Sequence, residues 1–288
     1  MSTLETTAPA STGGARPWAL WRRQVGGILR LELRKCLFSR RALLLYLLAG
    51  LPVAGAALFA IGVTYFGEGR VTPAAASAGF GPIYAYFILG SVVYFGCVWI
   101  FINLFRGEIL DRSLHYYLLS PVRREVLVAG KFLSALLAAT LLFGGSTLVS
   151  YLLMFLPFGS AGLSGFVLSG PGLGHLLTYL GVTLLACVGY GALFLLLGLY
   201  FKNPVLPAVL IFGWELIHFL LPPLLKKLSV VHYLKSLYPV PVSEGPFAVA
   251  AEPSPPWVAV GGLVLFAAVL VYLAGRRARR IQIDYGED

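Results

Sequence analysis

Glu215 is the one acidic residue deep within an apolar run of this chain, and His218 follows it in Trp-Glu-Leu-Ile-His. On a helix that spacing stacks the two side chains on one face. Ionisable groups at membrane depth are costly and mark function by default. The pair can therefore bind a cationic substrate, line a polar path or relay protons. It can equally be a Glu–His or Glu–backbone hydrogen bond at a subunit interface, or lie nearer the outer surface. Ser146 and His175 complete the candidate nucleophiles and ligands, but no HExxH, GxSG-like or EExxxR arrangement ties them to Glu215 or His218. Scattered Ser and His in spans commonly hold helices together.

A second cluster is the polar island Arg106–Lys131, RGEILDRSLHYYLLSPVRREVLVAGK, set between two apolar runs. Ile109, Leu110, Ser113, Leu114, Tyr117 and Leu118 recur as one packed helical stripe. Glu108, Asp111, Arg112, His115 and Tyr116 add charge and aromatic surface, with Asp111, Arg112 and His115 off the stripe and available to a partner. Ser120 can cap a new helix with Pro121 at its first position. Arg123 and Arg124 then fall in a first turn where the helix dipole disfavours cations, so a carboxylate or anionic lipid should face them.

Six apolar runs position these clusters: Ala42–Phe66, Gly81–Phe105, Phe132–Phe158, Leu173–Phe201, Val205–Leu225 and Trp257–Gly275. Each is about as long as a bilayer is thick when helical. With 58% hydrophobic and 12% charged residues and a mean hydropathy of +0.84, a soluble domain is excluded. Continuous rather than alternating apolar runs exclude a β-barrel. The expected class is an all-α polytopic membrane protein with six spans. Of 22 Lys and Arg, 18 flank one side, counting Arg16–Arg41, the island, Lys202 and Arg276–Arg280; only Arg70, Lys226, Lys227 and Lys235 lie opposite. The positive-inside rule makes the island and both termini cytoplasmic. Net charge +10 then reflects topology and anionic lipid, and nucleic acid is not an expected partner.

Residues 1–16 read as a disordered tail. Residues 17–41 read as an amphipathic interfacial helix, with Trp18, Trp21, Val25, Ile28, Leu29 and Cys36 on one face, Arg23, Arg30 and Arg34 opposite, and Glu32 interrupting the apolar face. Residues 42–275 form the membrane domain, and residues 276–288 a cytoplasmic tail. Within it, 225–256 is too broken by proline to span and too apolar for a solvated loop. Short re-entrant or interfacial helices near Val230–Leu237 and Pro246–Ala251 are expected there. Cys36, Cys97 and Cys187 show no metal or disulfide spacing. No cleavable signal peptide is expected, because the first apolar run begins after Arg41 and is too long for one.

The basic amphipathic segment, six spans, and a hairpin reading E-x-x-D-R-S-L…L-L-S-P-V-R-R-E…K together resemble the permease subunits of ABC-2-type ABC transporters. Their hairpin commonly reads E-x-x-x-G-T-L…L-x-S-P-V-S-R…K. Ser120-Pro121-Val122, Arg124 and Lys131 agree, Ser113 stands near the usual Thr, and Arg112 replaces the usual Gly. Outside the hairpin, only LELRK at Leu31–Lys35 adds to the match. The resemblance implies a prokaryotic plasma-membrane protein whose hairpin docks on a separate ATPase through Glu108, Asp111, Arg112, Ser113, His115, Tyr116, Pro121, Arg123 and Arg124. It implies an elbow helix at 17–41, a second permease subunit, identical or related, and the substrate path between the two. The lack of a large outside domain and the aromatic-rich second span (Phe80, Tyr84, Tyr86, Phe87, Tyr94, Phe95, Trp99, Phe101) favour export of an amphipathic or apolar substrate. ATP and Mg are then expected on the partner, with no cofactor or metal in this chain, which has no G-x-x-x-x-G-K-[ST]. The alternatives are a secondary transporter or channel, which calls for more intramembrane charge, and an intramembrane enzyme.

Overall fold

The computed structural model describes residues 17–39, 42–67, 71–110, 124–242, 249 and 252–279. Helices alone make up its regular structure over those residues. In chain order they are α1 (Pro17–Phe38), α2 (Ala42–Phe66), α3 (Pro73–Pro82), a π-helical stretch Ile83–Val93, and α4 (Tyr94–Leu110). There follow α5 (Arg124–Phe155), a 3-10 turn Leu156–Phe158, a π-helical segment Ala161–Leu168, and α6 (Gly172–Tyr200). The rest is α7 (Val205–Leu216), a 3-10 turn His218–Leu220, α8 (Pro223–Lys226), α9 (Val230–Lys235) and α10 (Pro256–Arg279).

Five of these helical stretches are long and apolar enough to cross a membrane: Ala42–Phe66, Pro73–Gly107, Arg124–Phe158, Gly172–Tyr200 and Pro256–Arg279. They correspond to five of the six expected runs. The second begins earlier than its hydropathy suggests, because Thr72 caps α3 by accepting from the Ala75 N–H at 3.2 Å and Pro73 opens the helix. The expected run Val205–Leu225 is not one helix. Its regular part, α7, has 12 residues and so reaches about 18 Å, short of a bilayer. Ile217 leaves helical geometry, Leu221 and Pro222 are extended, and Pro223 opens only the four-residue α8.

Helices α4, α5 and α6 form the centre, while α2 and α10 are peripheral, with 28% of their apolar windows buried against 56–61% for the others. The α4–α6 contact depends on missing side chains. A Cβ on Gly191 would lie 2.5 Å from the Phe101 ring, and one on Gly198 would lie 3.0 Å from the Ile102 carbonyl oxygen. Aromatic rings fill the space around them. Tyr94 packs against Tyr190, Phe194 and Phe212 and donates its hydroxyl to the Ala208 carbonyl at 2.7 Å. The aromatic second span divides by face: Phe80, Tyr84, Tyr94 and Phe101 are buried, whereas Tyr86, Phe87, Phe95 and Trp99 are exposed.

Helices α6 and α10 run parallel. Arg277 lies 5.0 Å over the Tyr200 ring at their C-terminal ends, and Leu263 approaches the Gly189 site farther up. Residues 201–255 therefore return the chain from one end of the bundle to the other. The C-terminal ends of α4, α6 and α10, the start of α5, and α1 gather at one end, which holds Arg30, Arg34, Lys35, Arg106, Arg124, Lys131, Lys202, Arg276, Arg277 and Arg279. We call it the basic end.

Gly191→Ala should lower thermal stability in detergent by about 1–3 kcal/mol, because its Cβ overpacks the Phe101 ring. Gly145, with nothing within 4 Å of an added Cβ, should tolerate Ala at no cost. Equal unfolding midpoints for the two variants would contradict this packing.

Candidate functional site

At the basic end, α1 lies along α5. Val25, Ile28, Leu29, Glu32 and Cys36 carry helical spacing and are the less exposed face of α1 over its described side chains, while Leu31 and Phe38 are exposed. The expected apolar face thus packs on protein from Val25 to Cys36, while the side chains of Trp18 and Trp21 lie outside those described. Gly130 permits the approach, since a Cβ there would lie 3.3 Å from the Ile28 side chain. One residue on, Lys131 Nζ donates to Glu32 Oε1 at 2.7 Å, with side chains 0% and 4% exposed. The ammonium also donates to the Leu104 carbonyl at 3.4 Å and stands 5.5 Å over the Phe105 ring. Glu32, an interruption in sequence, is the polar centre of a three-helix junction of α1, α4 and α5.

Cys36 sits one turn beyond Glu32. Burial, then the Glu32 carboxylate, push its thiol up to about 11, with Lys131 and Lys35 acting in the opposite sense. This thiol is held neutral.

The start of α5, two turns before Lys131, is joined to α10. Arg124 donates through Nη1 to the carbonyls of Ala278 at 3.2 Å and Arg279 at 2.8 Å. These are terminal carbonyls of α10, the negative end of its dipole. The cation that α5 disfavours at its own N-terminus is thus placed at the C-terminus of another helix. Glu125 pairs with Arg279, and Gly275 brings α10 close, its Cβ site 3.5 Å from Glu125 Cγ. Sequence reasoning singled out Arg124 but missed Glu125–Arg279, whose partners are far apart in the chain. Asp111, Arg112, Ser113, His115, Tyr116, Pro121 and Arg123 lie outside the described residues. Glu108 is described only as helical backbone at the end of α4.

Glu215 and His218 both reach α9. The Glu215 carboxylate accepts from the Ser229 hydroxyl and from the Val230 N–H, the latter at 3.1 Å. It therefore caps α9, satisfying donors that a helix start leaves open. His218, 3% exposed, sets its ring 6.0 Å from that of His232. His232 Nε2 lies 3.2 Å from Ser254 Oγ. Lys226, also buried, donates to the Val249 carbonyl at 2.8 Å. Val230 in turn packs at the Gly189 site, opposite Leu263. No group of three His, Cys, Asp or Glu suited to a metal occurs among the described residues.

No protein-family model matches the chain, and no curated protein does.

Lys131→Met should destabilise by about 3–5 kcal/mol, because it leaves the buried Glu32 carboxylate unpaired, whereas Glu32→Met with Lys131→Met should recover most of the loss. Chemical denaturation of the single and double variants checks this; an additive double variant would contradict it. Cys36 should alkylate on the order of a hundredfold more slowly at pH 8 than a thiol of ordinary pKa, since only the thiolate reacts, and its rate should climb tenfold per pH unit to about pH 10.

Proposed function

We propose that the chain is the membrane-spanning permease subunit of an ABC-2-type ABC transporter, working beside a second permease and a separate ATP-binding subunit. The observation that carries this reading is the clamped base of the Arg106–Lys131 hairpin. Lys131 ties the α5 arm of that base to α1 and to the Leu104 carbonyl of the α4 arm, and Arg124 with Glu125 tie the start of the same α5 arm to α10. A loop so braced can pass a push from a docked protein into the bundle. An unbraced one would absorb the push.

On this reading the basic end is cytoplasmic in a prokaryotic plasma membrane, as the positive-inside rule prescribes. The surface offered to the ATPase is Glu108, Asp111, Arg112, Ser113, His115, Tyr116, Pro121, Arg123 and Arg124. ATP and Mg2+ belong to that partner, and this chain performs no hydrolysis. The sixth crossing is the broken stretch from α7 to α10. Support for it comes from the parallel run of α6 and α10, which requires a return. Support for a re-entrant course comes from Val230, which packs at Gly189 within α6. Glu215 and His218 lie within that broken stretch, on the path this reading gives the substrate between two permeases, with export as the direction. Because the Glu215 carboxylate caps α9, it would act on the path by holding the stretch in shape.

Affinity-tagged protein expressed with its native neighbours should retain an ABC ATPase through purification. Asp111→Ala with Arg112→Ala should reduce both that retention and the stimulation of ATP hydrolysis, with insertion into the membrane unchanged. Unaltered coupling in the double variant would remove the docking role, and absence of any ATPase from the purified protein would remove the whole reading.

A further inference from the structure

A groove of about 490 Å3 opens on the outside of the bundle between α5, α6 and α10, at its basic end. Val264, Ala268, Val271 and Gly275 of α10 form one wall, facing Phe132 of α5 and Val188 of α6. Its lining is apolar until Glu125 at the mouth. From Val264 to Gly275 is eleven residue steps, about 16 Å of helix. One leaflet's share of the hydrocarbon core is roughly 15 Å. The groove therefore runs from the headgroup level to near the midplane. Dividing 490 Å3 by about 16 Å gives the centres of water-sized spheres a width of about 6 Å, so the walls stand about 9 Å apart, under the 10–12 Å of a helix with its side chains. Its dimensions suit a hydrocarbon chain.

The stripe that lines the groove continues into charge. Tyr272 also lines it, and one turn past Tyr272 and Gly275 stand Arg276 and Arg279, both exposed. With Arg277, three arginines occupy the last turn of α10 against the single Glu125 carboxylate, which Arg279 already holds. A slim apolar slot of one leaflet's depth, closed at its polar end by excess cationic charge, complements one molecule in particular. We propose that the groove is a binding site for one anionic phospholipid of the leaflet at the basic end, an acyl chain lying along α10 and the headgroup meeting Arg276 and Arg279. The site does not depend on the ATPase reading, because none of its groups belongs to the hairpin's docking surface.

The test is native mass spectrometry of the full chain released from nanodiscs of phosphatidylglycerol or of phosphatidylcholine with identical acyl chains. The expected result is one phosphatidylglycerol retained per chain, with phosphatidylcholine held at least severalfold more weakly. Arg276→Gln, a change on the exposed surface, should lower phosphatidylglycerol retention about fivefold, the usual worth of one basic residue at an anionic surface. Ala268→Trp, which fills the slot from an exposed position, should abolish retention of both lipids while Arg276→Gln leaves residual binding. Equal retention of the two lipids by the wild type overturns the headgroup assignment. Unchanged retention in Ala268→Trp overturns the groove assignment, and if the same variant instead loses self-association, the slot belongs to a second copy of the chain.

Discussion

The buried pair Lys131–Glu32 is the constraint on which the basic end depends. Two charges withdrawn from water cost several kcal/mol each, and only close mutual geometry with further hydrogen bonds offsets that. Here the ammonium meets a carboxylate at 2.7 Å, a backbone carbonyl at 3.4 Å and the face of an aromatic ring. The ammonium comes from α5 and its partners from α1 and α4, so none of the three can slide along another without exposing an unpaired charge. Packing alone would permit such sliding, because apolar contacts are non-directional. The pair therefore fixes register where the apolar surfaces do not, with Gly130 setting how near α1 can come.

A related economy governs the other charges. Arg124 stands at the N-terminus of one helix, where its charge is unfavourable, yet reaches the carbonyl end of another, where it is favourable. Glu215 does the reverse, carrying a carboxylate to the open amides of α9. Lys226 meets the Val249 carbonyl, and the Phe219 carbonyl accepts from the Val249 N–H at 3.0 Å. Irregular backbone inside a membrane protein is tolerated only where its polar groups find partners within the protein. The broken stretch between α6 and α10 holds just such partners, drawn from ionisable side chains that hydropathy counts as anomalies.

Hydropathy made five of the helices legible, because a run of apolar residues long enough to cross a bilayer has few other stable forms. The same measure failed at Val205–Leu225, where composition stays apolar but the helix ends at Ile217 and Pro223 opens only the four-residue α8. It also placed the start of the second span at Gly81, missing the cap and proline at Thr72-Pro73. Helical spacing brought out the face of α1 that packs on α5, yet assigned it to lipid, since periodicity says which side is apolar and not what covers it. Glu32 and Lys131 were visible singly, as an interruption and as the last letter of a motif. Their pairing joins residues 99 positions apart, a relation that no local pattern encodes. The Glu215–His218 spacing was legible as one helical turn, but the turn at Ile217 directs the two toward different atoms of the α9 region.

Two parallel helices link the ends of this molecule. Helix α10 meets the hairpin base through Arg124 and Glu125, and its Arg277 lies on the last ring of α6. Farther up, α6 and α10 together flank Val230 at Gly189, and Val230 begins the helix that Glu215 caps. A well-packed helix transmits displacement along its axis far better than it bends, because bending breaks its hydrogen-bond ladder. On the proposed reading, a push delivered at the hairpin base is carried by α10 and α6 as a strut. It arrives at the stretch that holds the short helices α7, α8 and α9. Rearrangement there would have to keep the Glu215 carboxylate and the α9 amides paired, or replace each with water. On the same proposed reading Glu215 is the hinge of the stretch, and its part in the substrate path is the capping of α9.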